Sequence, residues 1–289
     1  MLQELTLSRR IVHFSNGKMY WDCPHISQPR SIGFKTDHSA QMSPSMKKLD
    51  THIDFVDSWL DIVSDYSKCE LTYRTDKLAA ISGIAAEWQT HLEEGPGRSY
   101  HFGLFQCGMP QSFLWYTSGG PLTSSDQQVP SWSWASVDGH VQHMKTRNAR
   151  VDAVTISVND SVAPGHSGRG LVLRVAEREG WIKPTTVEFG HDAGNGILFI
   201  RPKGVIIRGY ELSMNGYASY DSGVINYTER ISCARICTYH VNFDGRPRDL
   251  NLVLLLEKAK QLCYKRVGVG IIYEHGWFDN FPLRDITIV

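Results

Sequence analysis

The chain has no excess of charge of either sign: thirty Asp and Glu balance thirty Lys and Arg over 289 residues. Without a basic surplus there is no electrostatic footprint for nucleic acid or an anionic membrane. Long apolar runs are missing too. The densest, LNLVLLLE at 250–257, is far shorter than the roughly 20 residues a spanning helix needs. The opening MLQELTLSRR has no apolar signal-peptide core, so a cytoplasmic protein is expected. On that reading the sequons NDS at 159 and NYT at 226 are chance matches. Six cysteines stand at 23, 69, 107, 233, 237 and 263, and only Cys233 and Cys237 are close. In a strand they would lie about 13 Å apart, too far for a disulfide, and no second pair completes a tetrahedral metal site. Structural thiols in a reducing compartment, with no metal or cofactor, are the expectation. Nucleotide and hydrolase signatures are also missing: there is no Walker A loop, dinucleotide fingerprint or H-E-x-x-H. GHSGRG at 165–170 has a serine at the wrong spacing for a nucleophile elbow and reads as a strand-to-strand loop rather than an anion nest.

What is present is aromatic, with 11% Phe, Trp and Tyr, including eight tryptophans. Two apolar-rich runs in RIVHFSNGKMYWDC (10–23) flank Asn16-Gly17, the strongest short hairpin signal because both residues tolerate positive φ. Residues 25–50 read as loop or linker. Helical spacing then appears in THIDFVDSWLDIVSDYSK at Ile53, Val56, Trp59, Leu60, Val63 and Tyr66, with Thr51 as the cap. It appears again in TDKLAAISGIAAEWQTHL at Leu78, Ile81, Ile84, Ala85, Trp88 and Leu92. Gly83, among Ala79, Ala80, Ala85 and Ala86, suggests close helix packing. Asp54, Asp57 and Asp61 share a polar stripe, read as solvated. GPG at 95–97 breaks the pattern.

From 129 the pattern changes to short strand-like runs: VTISV, GLVLRV, GILFI, GVIIRGYEL, ARICTYHV, LNLVLLLE, RVGVGIIYE and DITIV. The expected class is α+β, a helical N-terminal part packed on a largely antiparallel β sandwich or open barrel. The segments are 1–24 (boundary and hairpin), 25–50 (linker), 51–128 (helical) and 129–289 (β-rich), or one continuous domain.

VPSWSWASVDGHV (129–141) carries the densest pattern. If it is extended, Trp132, Trp134 and Ser136 share one face and Ser131, Ser133 and Ala135 the other. Asp138-Gly139 suits a type I′ turn pairing Val137 with His140, with Trp134 facing His143 and Trp132 facing Lys145. Two rings on a β face can stack on sugars or bases. The apolar neighbourhood favours a core hairpin.

These residues also carry a resemblance. VPSWSWASVDG resembles the signature found downstream of the effector domain in fungal heterokaryon-incompatibility (HET) domain proteins, usually Ala-Pro-Ser-Trp-Ser-Trp-Ala-Ser. LQELTLSRRIVHF (2–14), FSNGKMYWDC (14–23), LTYRTDKLAAISGIA (71–85), YHFGLFQCGMPQSFLWY (100–116) and the closing strands resemble other blocks in the same order. Departures are Arg9 for proline, Thr75 for serine, Ala79 for proline, Phe105 for tryptophan and Val129 for alanine. The motif positions are Pro130, Ser131, Trp132, Ser133, Trp134, Ala135, Ser136, Asp138 and Gly139, with Asp76, Lys77, Leu78, Ser82, Gly83 and Trp115, all expected to be structural. The resemblance places the effector domain before Leu2. It implies a truncated product, fragment or free-standing region linked to non-self recognition and programmed cell death, whose partner is that effector domain, in cis or trans, or another protein.

Three functional readings follow. The first is a non-enzymatic regulatory or recognition region. The second is a small-ligand or glycan-binding module using Trp132 and Trp134. The third is a hydrolase-type enzyme whose site gathers distant residues such as Cys23, His25, Asp138 and His143.

Overall fold

A computed structural model describes residues 11–15, 18–22, 30–32, 52–69, 71, 73–117, 129–162, 169–184, 205–208, 216–221, 230–243, 246–260, 263–273 and 276–289. Strands β1 (Ile11–Ser15) and β2 (Lys18–Asp22) pair antiparallel with Ser15 opposite Lys18. This is the register that a two-residue Asn-Gly connection imposes. β3 (Arg30–Ile32) adds to β2, so part of the stretch read as linker is strand.

Helix α1 (His52–Ser67) buries Phe55, Trp59, Ile62, Val63 and Tyr66, a stripe at helical spacing, while Val56 and Leu60 flank it half-buried. Thr51 lies outside the described residues. Helix α2 (Lys77–Gln89) buries Ile81, Ile84, Ala85 and Trp88. Of the small residues around half-buried Gly83, Ala85 is buried and Ala80 packs against the core, while Ala79 and Ala86 face solvent. Among the described residues after α2, up to Thr117, there is no further α-helix, only three short 3-10 turns (Pro96–Arg98, Gln106–Gly108 and Gln111–Phe113) between short strands. β4 (Tyr100–His101) and β5 (Leu104–Phe105) form a hairpin, and β6 (Trp115–Thr117) pairs with β7 (Val141–His143) across residue 128.

The remaining strands are β8 (Arg150–Val151), β9 (Val154–Val162), β10 (Arg169–Pro184), β11 (Val205–Arg208), β12 (Gly216–Tyr220), β13 (Arg230–Phe243), β14 (Arg246–Lys260), β15 (Cys263–Ile272) and β16 (Leu283–Ile288). The molecule is therefore α+β, with sheet predominating. Among the described residues the pairings of this sheet are antiparallel except β15–β16. The ladder runs β10–β16–β15–β14–β13 and returns to β10. The run GILFI lies outside the described residues, as do 163–168 within the GHSGRG connection.

The middle of strand β14, Leu252–Leu256, reads as an unbroken apolar run because both of its faces are buried. Leu250, Leu252, Leu254 and Leu256 enter a large core shared with α1, α2 and the tryptophans, while Val253 and Leu255 enter a second, smaller one. The smaller core is covered by the β15–β16 connection. A parallel pair needs a crossover, and here residues 276–281 form a strap that lays Trp277 and Phe278 on that face. Arg178 donates to the Trp277 carbonyl at 2.6 Å and stacks 4.2 Å from its ring centroid, and Arg235 lies over Phe278.

Candidate functional site

The motif segment is a turn, not a strand. Trp134–Ser136 form one turn of 3-10 helix, and β7 pairs with β6 instead of with residues 132–137. The expected hairpin fails for a local reason. The Ser133 hydroxyl accepts from the Ala135 N–H at 3.1 Å, and the Ser136 hydroxyl donates to the Ser133 carbonyl at 2.7 Å. Such side-chain bonds offer the backbone an alternative to extension. Gly139 has φ +115, but Asp138 is not left-handed, as a type I′ turn would require. The inward placement of the rings does hold: Trp132 and Trp134 are both 0% exposed.

Trp134 and its neighbours close on the β4–β5 hairpin. Phe102 and Gly103, both at positive φ (47° and 93°), make its two-residue turn. The Gly103 carbonyl accepts two indole N–H groups, from Trp59 on α1 at 2.9 Å and from Trp134 at 3.0 Å. The Ser133 hydroxyl donates to the Phe102 carbonyl at 2.6 Å. Only glycine fits this turn, because a Cβ on Gly103 would sit 2.7 Å from Trp134 Cε2 and closer still to Nε1. From α2, the buried Lys77 donates to the Val137 carbonyl at 2.5 Å and lies 5.1 Å from the Trp134 ring centroid. Tyr66 donates to the Lys77 carbonyl at 2.8 Å and meets Trp134 edge-on. Of the other motif positions on α2, Asp76 and Ser82 are exposed and Leu78 is half-buried against the core.

The same segment grips the strands. Ser131 N–H donates to the Val289 carbonyl at 3.1 Å, its hydroxyl bonds the same oxygen, and Arg266 N–H donates to that hydroxyl at 2.9 Å. Trp115 donates its indole N–H to the Trp132 carbonyl at 3.0 Å. Beneath it, the fully buried Arg266 guanidinium stacks 3.4 Å from the Trp115 ring centroid, donates to the Trp115 carbonyl and pairs with buried Asp221. Burial pushes the Asp221 carboxyl up and the Arg266 guanidinium down, and their mutual attraction opposes both shifts. Asp221 Oδ1 and Arg266 Nε have no hydrogen-bond partner among the described residues. His143 stands opposite Trp115. The residue as a whole is half-buried, yet both ring nitrogens are shut from solvent with no hydrogen-bond partner among the described residues. Burial, then Arg266 and Lys145, lowers its pKa to about 3, so the imidazole is neutral.

Of the proposed catalytic set, only Asp138 and His143 fall among the described residues. Cys23 and His25 lie outside the described residues. Asp138 is half-buried beside exposed Gly139, and the His143 ring nitrogens bond no side chain among the described residues. A pairing the sequence did not signal is Ser64 Oγ with His140 Nε2 at 3.1 Å, 76 residues apart. It belongs to a docking seam, in which Val141 N–H donates to Ser67 Oγ at 2.8 Å and Ser67 Oγ donates to the Ser64 carbonyl at 2.7 Å. The acidic stripe on α1 is not simply solvated either: Arg147 pairs with Asp54 and Asp57, and Lys145 approaches Asp61 at 3.8 Å.

Cys233 and Cys237 are both buried on β13, and burial raises each thiol to about 12. A bulge between Arg235 and Cys237 sends them to opposite cores, although residues four apart normally share a face. Among the described residues no group of three or more His, Cys, Asp or Glu could hold a metal, and no helix is long and apolar enough to cross a membrane. No protein-family model, curated protein or solved structure matches this chain.

Proposed function

We propose that the chain is a regulatory or recognition region of a heterokaryon-incompatibility protein, without catalysis of its own, whose helical N-terminal part is held on a barrel of largely antiparallel strands. It restrains or positions an effector domain, in cis or trans, or senses a partner through its β-rich half. One observation supports this above the others. The motif positions that carry the resemblance, Lys77, Trp115 and Ser131–Ser136, meet in a single buried lock between helices and strands. Residues used in this way offer no face to a substrate. Two rings at 0% exposure have none for a sugar.

The test is co-expression of a HET effector domain with and without this chain in fungal cells, together with turnover assays on the purified chain. The expected outcome is an altered death response, co-purification with the effector domain, and no hydrolysis of nucleotides or esters. Turnover that disappears in Ser64→Ala would overturn the reading in favour of an enzyme built on the Ser64–His140 pair.

A further inference from the structure

Exposed large apolar side chains are few among the described residues: Tyr73, Val151, Val154, Ile156, Phe281 and Leu283. Two of them, Val154 and Leu283, lie on one sheet surface, and Ile156 stands next to Val154's row at the bulge opposite Val172 and Leu173. In the antiparallel ladders Val154 stands opposite Arg174 and Arg174 opposite Asp285, so the three side chains share a face across β9, β10 and β16. One row further on, Leu283 stands opposite Ala176. Ala176 belongs to the small core under the strap. The strap thus covers the part of this surface around Ala176 and leaves the Arg174 row open. Val154 and Leu283 are each 52% exposed and Ile156 44%.

We propose that this open face is where two copies of the chain associate, packed face to face about a two-fold axis. Charge selects the occupant. At the centre lies one bidentate pair, Arg174 to Asp285 at 2.7 and 3.1 Å, about half-exposed on each side. The patch therefore carries one positive and one negative pole side by side. A two-fold axis lying in the interface, perpendicular to the line from Arg174 to Asp285, sets each pole against its opposite on the second copy and makes the contact isologous. A uniformly acidic or basic partner would leave one pole facing a like charge. Long-range repulsion between copies is absent because the chain's formal net charge is zero. The strand beside the pair is uncharged from Val154 to Val158, so it adds no further charge to the face. Among the described residues β9 pairs only with β10.

Area sets the strength. Three strands by six rows give a footprint about 15 Å by 20 Å, short of the roughly 800 Å² per partner of a stable complex. A weak, concentration-dependent dimer is expected. Sedimentation velocity on the full chain up to about 1 mM, the millimolar end of the affinity range, tests this. The wild type should shift toward dimer as concentration rises. Val154→Lys and Ile156→Lys, both at exposed positions, should weaken association at least about tenfold. Arg174→Asp should weaken it as well, and the exchange Arg174→Asp/Asp285→Arg should restore it. A strictly monomeric wild type, a dimer indifferent to both lysines, or a charge exchange that fails to restore would each overturn the proposal. Binding of the effector domain at this face by a monomeric wild type would assign it to that occupant instead.

Discussion

Gly103→Ala tests the lock at its tightest point. Two costs combine. A non-glycine residue at φ +93 pays a backbone penalty of about 1–3 kcal/mol. The new Cβ also displaces Trp134, whose indole then loses the Gly103 carbonyl. An unsatisfied buried donor costs about 1–3 kcal/mol, and Trp59 shares the same acceptor. The sum is roughly 4 kcal/mol, a large share of the 5–15 kcal/mol that typically holds a domain folded. For a chain of this size it corresponds to a drop in Tm of roughly 10 °C. Thermal unfolding followed by near-UV circular dichroism would read both the shift and the loss of a fixed tryptophan environment. Gly95→Ala is the control. Gly95 also has positive φ, +155, but nothing lies within 4 Å of its Cβ position. If Gly103→Ala lowers Tm no more than Gly95→Ala does, the lock is not what the geometry says it is.

Removing Arg266 alone should cost more than removing the pair. Arg266→Met leaves Asp221 buried without its cation, about 3–5 kcal/mol by denaturant unfolding, and adding Asp221→Leu should recover most of it. His143 makes stability pH-dependent. Its folded pKa, about 3, lies below the unfolded value near 6.5, so the unfolded chain binds the proton first. Stability is therefore full above pH 6.5 and falls by up to about 1.4 kcal/mol per pH unit on the way down to about 3. Urea midpoints measured between pH 7 and 4 should show a shallower decline in His143→Leu than in the wild type. In the native protein iodoacetamide should label exposed Cys69 while Cys233 and Cys237 react only after unfolding, as peptide mass spectrometry would show.

The sequence was most legible where local chemistry and tertiary demand agree. Asn16-Gly17 specifies the β1–β2 register, the helical stripes mark the buried faces of α1 and α2, and the β-like runs fall on β9, β10, β11 and β13 to β16. The burial of Trp132 and Trp134 also followed from their apolar context. Their backbone did not. Alternation of Trp and Ser looks like a strand, but the Ser133 and Ser136 hydroxyls turn it into 3-10 helix. Phe102-Gly103 gave no recognisable turn signal, because phenylalanine is a poor left-handed residue; here its ring packs edge-on against Trp132 at 5.5 Å. The Arg266–Asp221 pair spans 45 residues, and the β13 bulge separates two cysteines that simple alternation would place together. Contacts of that kind arise only once the ladder has formed.

Strand β14 carries a cost for biosynthesis. LNLVLLLE is aliphatic but for Asn251, free of proline and glycine, and uncharged until Glu257, the composition that favours pairing between chains. Its lateral partners are β13, made just before it, and β15, made just after. The cover for Val253 and Leu255 arrives last, with Trp277 and Phe278. A nascent chain interrupted before Trp277 would hold a paired strand with one apolar face open to its neighbours. The strap thus works as a late safeguard against aggregation as well as a crossover.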